Sequence, residues 1–213
     1  MERMVDPFTI PTGRYSGNVS PSPPRYDGRM TRTETARDRI LVAFEDLLIE
    51  SGERGATLDA VAARAGVSKG GLLYHFGSKD ALTAGLIERL TELTEADVTL
   101  MRAAPAGVVD YMVRTSVNVG SAFDRALIAA ARLAQTSDPR AGDALASIRN
   151  RWLEIVTEAV GDATLARAIV LISDGLYYNS ALMGMGTPDP ADTSEEGLDR
   201  LIEMIGRLSP TTD

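Results

Sequence analysis

The chain has 213 residues, 44% of them hydrophobic and 24% charged, with no cysteine, one histidine and a net charge of −8. The lack of cysteine excludes a disulfide framework and thiolate metal sites, and fits a reducing cytoplasm. No apolar run approaches the ~18–20 residues needed to cross a bilayer, and the first residues lack the basic-then-apolar layout of a signal peptide. A soluble cytoplasmic protein of one or two domains is expected.

The charge is unevenly divided. Residues 1–28 hold three basic and three acidic groups, residues 29–82 hold eight of each, and residues 83–213 hold eleven basic against nineteen acidic. The acidic excess therefore lies outside residues 29–82, where a local basic face remains available to meet phosphates.

In chain order, Met1–Arg29 carries Pro7, Pro11, Pro21, Pro23 and Pro24 with no periodic apolar pattern, and reads as a disordered arm. Arg14, Arg25, Arg29 and Arg32 precede the first helix. Such an arm either reaches a minor groove or the phosphate backbone, or is a solvated tail. The stripe Ile40, Leu41, Phe44, Leu47 and Leu48 predicts a helix from about Thr35 to Ser51. Thr57 is then an N-cap, followed at helical spacing by Leu58, Val61, Ala62 and Ala65. Gly66 supplies the left-handed residue that ends this helix, and Val67 is expected to enter the core beneath the turn. Ser68 caps a short second helix whose inward residues are Leu72 and Phe76, and Ser78 caps the next. Two helices joined by a turn of three or four residues containing Gly form a helix-turn-helix, whose second helix enters the DNA major groove.

This run, Thr57–Leu82, resembles the DNA-binding signature of the TetR family of transcriptional regulators. That signature has a Thr-Leu-x-x-Val-Ala-x-x-Ala-Gly-Val-Ser core, a Gly-x-Leu-Tyr-x-x-Phe helix and a Ser-Lys-Glu-x-Leu continuation. The upstream Arg39, Ile40, Leu41, Phe44, Leu47 and Gly52 fit the family's first helix, so the resemblance covers about residues 35–90. One departure is plain: Leu73 stands where the family usually has Tyr, and Tyr74 follows it. Met30-Thr-Arg-Thr-Glu also resembles a family-typical start, which leaves open whether residues 1–29 are translated natively.

Beyond the signature, Leu82, Leu86, Ile87, Leu90 and Leu93 stripe a long helix expected to link two domains. Pro105 is read as opening the next helix, with Val108, Val109, Met112 and Val113. Further helices are read at Ala122–Gln135, from near Pro139 through Leu145, Ile148, Trp152, Ile155, Val156 and Ala159, and from about Ala163 through Met183. Gly184–Asp192 reads as a loop, and a last helix carries Leu198, Leu201, Ile202, Ile205 and Leu208. No strand is expected. The fold class is all-α: a disordered arm (1–30), a three-helix helix-turn-helix domain (31–80), and a helical ligand-binding and dimerisation domain (81–213).

What the resemblance implies is a regulator, most simply a repressor, that binds a palindromic double-stranded operator as a homodimer and is released by a small-molecule effector. It implies dimerisation through the last two helices, about 163–183 and 195–208, and movement of the linking helix on effector binding. Lys69 at the start of the reading helix is placed near base edges or phosphates, Gly70 and Gly71 offer close backbone approach, and the capping Ser68 is counted with them among the DNA-binding residues. Leu73 is suited to a thymine methyl and Tyr74 to a phosphate. The resemblance assigns His75 a phosphate contact, Lys79 combines its charge with a helix N-terminus, and Thr57 adds a contact beside its capping role. Tyr111, Phe123, Trp152, Tyr177, Tyr178 and Asn179 offer aromatic walls and polar tips to an effector, or serve as ordinary core. No cofactor or metal is expected, since His75 has no second His or Cys to join it, and no nucleophile, base or phosphate loop assembles into an enzyme. The competing readings are a helical protein-interaction adaptor and a TetR-like activator without a small-molecule ligand.

Overall fold

The structure, a computed structural model, describes residues 35–118, 120–135, 138–182 and 193–208. The expected arm (1–30), Met183 and the expected loop at 184–192 lie outside the described residues. Among those described, the regular structure is entirely helical: α1 (Ala36–Gly55), α2 (Leu58–Ala65), α3 (Lys69–His75), α4 (Lys79–Arg102), α5 (Val108–Thr115), α6 (Ala122–Gln135), α7 (Pro139–Val160), α8 (Ala163–Tyr177) and α9 (Glu195–Arg207). A π-helical turn, Tyr178–Leu182, prolongs α8.

Most element boundaries follow from caps readable in the chain. Thr35 opens α1 through a reciprocal capping box with Asp38, and Asp162 opens α8 by accepting from the amides of Thr164 and Leu165. Two boundaries depart from expectation. The first helix runs on to Gly55, although the chain leaves helical geometry at Gly52. Pro105 does not open α5; Gly107, at φ 92°, is the residue before its first turn, and Pro105 lies in the preceding connection.

The chain divides into two compact units. One comprises 35–96 with 120–149; the other comprises 97–118 with 150–208. In the first, Ile40, Leu41, Phe44, Leu48, Val61, Leu72, Leu82, Leu86 and Leu90 are sealed from solvent. Helix α6 packs along α1 and brings Phe123, Ala126, Ala129, Ala130 and Leu133 into this core. Its run of alanines keeps the two backbones close, because a helix approaches a neighbour to the depth its side chains allow. Leu47 and Phe76 are buried as well, while Leu58 and Val67 are only half-buried, so Val67 skirts the core instead of entering it.

The second unit packs α5, α8, α9 and the later part of α7 around Val113, Val156, Ala166, Ile169, Val170, Leu198 and Ile205. The Tyr111 hydroxyl donates to Asp97 Oδ1 at 2.9 Å, with both side chains buried. Arg114 of α5 ties α9 in place. It meets Asp110 at 3.0 Å on its own helix, Glu195 at 2.7 Å, and Asp199.

Candidate nucleic-acid interface

The geometry at the head begins with three hydroxyl caps. Thr57 Oγ1 accepts from the Ala60 amide at 3.2 Å, Ser68 Oγ from Gly71 at 3.0 Å, and Ser78 Oγ from Ala81 at 3.1 Å. Each satisfies an amide that the first helical turn would otherwise leave unpaired. Between the first two caps, Gly66 adopts φ 66° and ψ 34°, and the Val67 amide closes back on the Ala62 carbonyl at 3.0 Å. A side chain at Gly66 would strain this left-handed residue, so the angle between α2 and α3 depends on glycine here.

Helix α3 has only seven residues and is held by its inner side. Leu72 is fully buried and Phe76, just beyond its end, is 4% exposed. Helix α4 passes so close that a Cβ added at Gly85 would lie 2.7 Å from the Phe76 ring and 3.2 Å from Leu41. The Arg37 guanidinium stacks over the same ring at 5.3 Å while pairing with Glu88 at 2.6 Å. A short helix with two anchors and a wall behind it presents its outer face in a fixed orientation.

That outer face carries Lys69, Gly70, Leu73, Tyr74 and His75, all exposed, with Tyr74 at 86%. The Tyr74 and His75 rings meet edge-on, 5.1 Å apart. Gly71 lies differently: a Cβ there would sit 3.2 Å from the Ser68 hydroxyl, against the cap. Thr57 and Ser68 stand at the exposed N-termini of α2 and α3. Both lysines are engaged within the molecule. Lys69 Nζ lies 2.9 Å from Asp59 of α2, and Lys79 Nζ donates to the Glu53 carbonyl at 2.5 Å with the Glu53 carboxylate 3.5 Å away. Asp59 and Glu53 were not singled out in the sequence, and nothing in their spacing distinguishes them from solvated charges. On the other side of α2, Arg64 grips Glu50 at 2.7 Å, which holds that carboxyl below its ordinary range.

The aromatic residues expected at an effector site are divided between the two units. Tyr111 and Trp152 belong to or pack against the second unit's core, and Tyr177, Tyr178 and Asn179 follow one another at the end of α8. Tyr177 is half-buried, whereas Tyr178 and Asn179 are exposed. Phe123 is fully buried in the first unit.

One charged site in the head was missed altogether. Glu45 is fully buried on α1, with Arg89 of α4 and Arg125 of α6 directed at its two carboxylate oxygens. A signal existed: Glu45 falls between Leu41 and Leu48 on the apolar stripe, where a charge is out of place. Among the described residues, no group of three or more His, Cys, Asp or Glu is placed to hold a metal, and no helix is long and apolar enough to cross a membrane.

Residues 40–86 match the model of bacterial regulatory proteins of the tetR family, and residues 106–206 match that of the tetracyclin repressor-like C-terminal domain. Among characterised proteins, the HTH-type transcriptional regulator RutR of Escherichia coli K12 is 30% identical over 102 residues, which is 46% of this chain and 48% of RutR. The chain thus spans about half the length of that relative. The HTH-type transcriptional regulator UidR of the same strain is 29% identical over 141 residues, covering 64% of this chain and 70% of UidR. Among solved structures, the multidrug binding protein EbrR complexed with malachite green shares the fold with a TM-score of 0.60 at 22% identity, covering 82% of this chain and 98% of that one.

Proposed function

Given that the chain belongs to the TetR family of bacterial regulatory proteins, we propose that it is a DNA-binding transcriptional repressor of the cytoplasm, not an enzyme, which grips a palindromic operator as a homodimer and is released by a small molecule. The observation that carries this reading is α3 itself: a helix anchored by Leu72 and Phe76 that turns Lys69, Leu73, Tyr74 and His75 outward on one face. A helix so placed enters a major groove, where Leu73 meets a thymine methyl and Lys69 reaches base edges or phosphate. Tyr74 and His75 donate to phosphates, with Thr57, Ser68 and Lys79 at helix N-termini completing the backbone grip.

Seven residues read few base pairs, so a second head is needed for an extended operator. The outward side of α8 and its continuation shows Leu171 and Tyr178, and Leu208 follows α9, each at least half exposed. A second copy packing on the last two helices covers these groups. The effector binds in the second unit, where the half-buried Trp152 and Tyr177 and the exposed Tyr178 and Asn179 supply aromatic and polar groups over a core that holds Tyr111.

The test is a gel shift of the purified chain against the DNA upstream of its own gene. A shift that depends on sequence and weakens steeply with salt is expected, and no such shift would end the regulator reading. Lys79→Ala is expected to weaken specific and random DNA alike, whereas Lys69→Ala changes sequence preference.

A further inference from the structure

Glu45 takes no part in the reading face, yet it is the most deeply placed ionisable group of the head. Its side chain is fully buried on α1. Arg89 Nε of α4 lies 3.1 Å from Oε1, Arg125 Nε of α6 lies 3.5 Å from Oε2, and Asp46 of α1 approaches Arg125 at 4.0 Å. The two carboxylate oxygens and both Nε atoms are closed to solvent, and among the described residues no aligned hydrogen bond completes any of them. A carboxyl buried between two arginines is costly to ionise there, because loss of solvent opposes the charged form that the arginines attract. The arginines retain a way out, with side chains 19% and 33% exposed, whereas Glu45 meets water only if a covering helix moves.

We propose that Glu45 is a positioning residue for the DNA-reading head, fastening α1 to α4 and α6 so that its protonation state sets how firmly the head is held for DNA. The inference rests on the DNA-binding reading above. Burial pushes the Glu45 carboxyl up to about 7; Arg89 and then Arg125 oppose this, and Asp46 adds to it. An arrangement that admits water to Glu45 returns it towards the ordinary carboxylate range. The packed arrangement therefore holds the proton more tightly, and acidification towards that range favours it. Raising the pH to about 7 favours separation of α1 from its partners, by up to about tenfold per pH unit for one linked proton. DNA that selects one arrangement then binds with a pH dependence that originates some distance from the contact face.

The experiment titrates the full chain with a duplex of its own upstream DNA, from about pH 5 to about pH 8 at fixed ionic strength, beside Glu45→Gln and Arg125→Gln. A pH dependence that originates elsewhere in the complex cancels in the ratio of variant to wild-type affinity. That ratio for Glu45→Gln is expected to change by about threefold or more across the range. Arg125→Gln removes one attracting charge, so it is expected to move the midpoint of the profile to higher pH. It also carries the test if Glu45→Gln does not fold. Specific binding with a flat ratio and an unmoved midpoint would overturn this inference alone. Failure of every duplex to bind would overturn the DNA-binding proposal and this inference with it.

Discussion

Asp59 is the residue whose sign works against its surroundings. It sits in the first turn of α2, 2.9 Å from Lys69, and both side chains are well exposed. An exposed pair contributes only about 0–1 kcal/mol, so a phosphate competes readily for the lysine. Asp59 then remains as a negative charge near the DNA and penalises binding of any sequence. Asp59→Asn is expected to tighten binding to random duplexes by about threefold and the specific duplex by less, lowering the ratio between them. Parallel titrations at one salt concentration check this; an unchanged ratio would refute it. Thr57 belongs to the same first turn, and its hydroxyl cap on Ala60 is exposed. Thr57→Ala is expected to cost about 1 kcal/mol, read from denaturant unfolding, with the slope unchanged.

Among the helices, the tightest fit is α4 against the end of α3. Gly85→Ala drives a methyl to 2.7 Å from the Phe76 ring and 3.2 Å from Leu41, and the Arg37 guanidinium lies over the same ring. The expected cost is about 1–3 kcal/mol of stability, together with weaker DNA binding, because Phe76 can yield only by moving the helix it anchors. Chemical denaturation and a DNA titration of the variant measure the two effects, and native values for both would show that the site relaxes freely. The helices themselves were readable in the chain, since Thr57, Gly66, Ser68 and Ser78 mark their ends and Leu72 and Phe76 their inner face. What was not readable is long-range. No local pattern shows that α6 lies along α1, or that Gly85 faces Phe76. The same holds for Lys69 and Lys79, which bond to Asp59 and Glu53, ten and twenty-six residues away. The aromatic residues illustrate the limit best: Phe123 reads in the chain like Tyr111 and Trp152, and only tertiary packing buries it in the first unit while they lie in the second.

For the molecule as a whole, the proposed proton linkage and the proposed self-association each have a direct test. Glu45 has its carboxyl raised from 4.5 to about 7, so the stability it contributes is fully present below about 4.5 and is lost as the pH rises through 7. The loss amounts to about 3 kcal/mol relative to a residue that does not titrate. The thermal midpoint of the wild type is therefore expected to fall against that of Glu45→Gln between those limits, and parallel midpoints would exclude the linkage. Self-association is tested by Leu171→Glu, which places a charge on the outward face of α8. A shift from dimer to monomer in sedimentation equilibrium is expected, with operator affinity falling as the second head is lost; a dimer unaffected by the change would locate the interface elsewhere.

The chain contains only two lysines, and both stand at the reading head, Lys69 at the start of α3 and Lys79 at the start of α4. Every other cationic side chain, apart from the single histidine, is an arginine. An amine-selective reagent therefore finds, besides the terminal amine, no target but the surface proposed to meet DNA. Labelling would neutralise two of the head's cations while leaving its arginine pairs intact. It would serve as an occupancy gauge, slowed by a bound duplex and indifferent to an effector that leaves the head free.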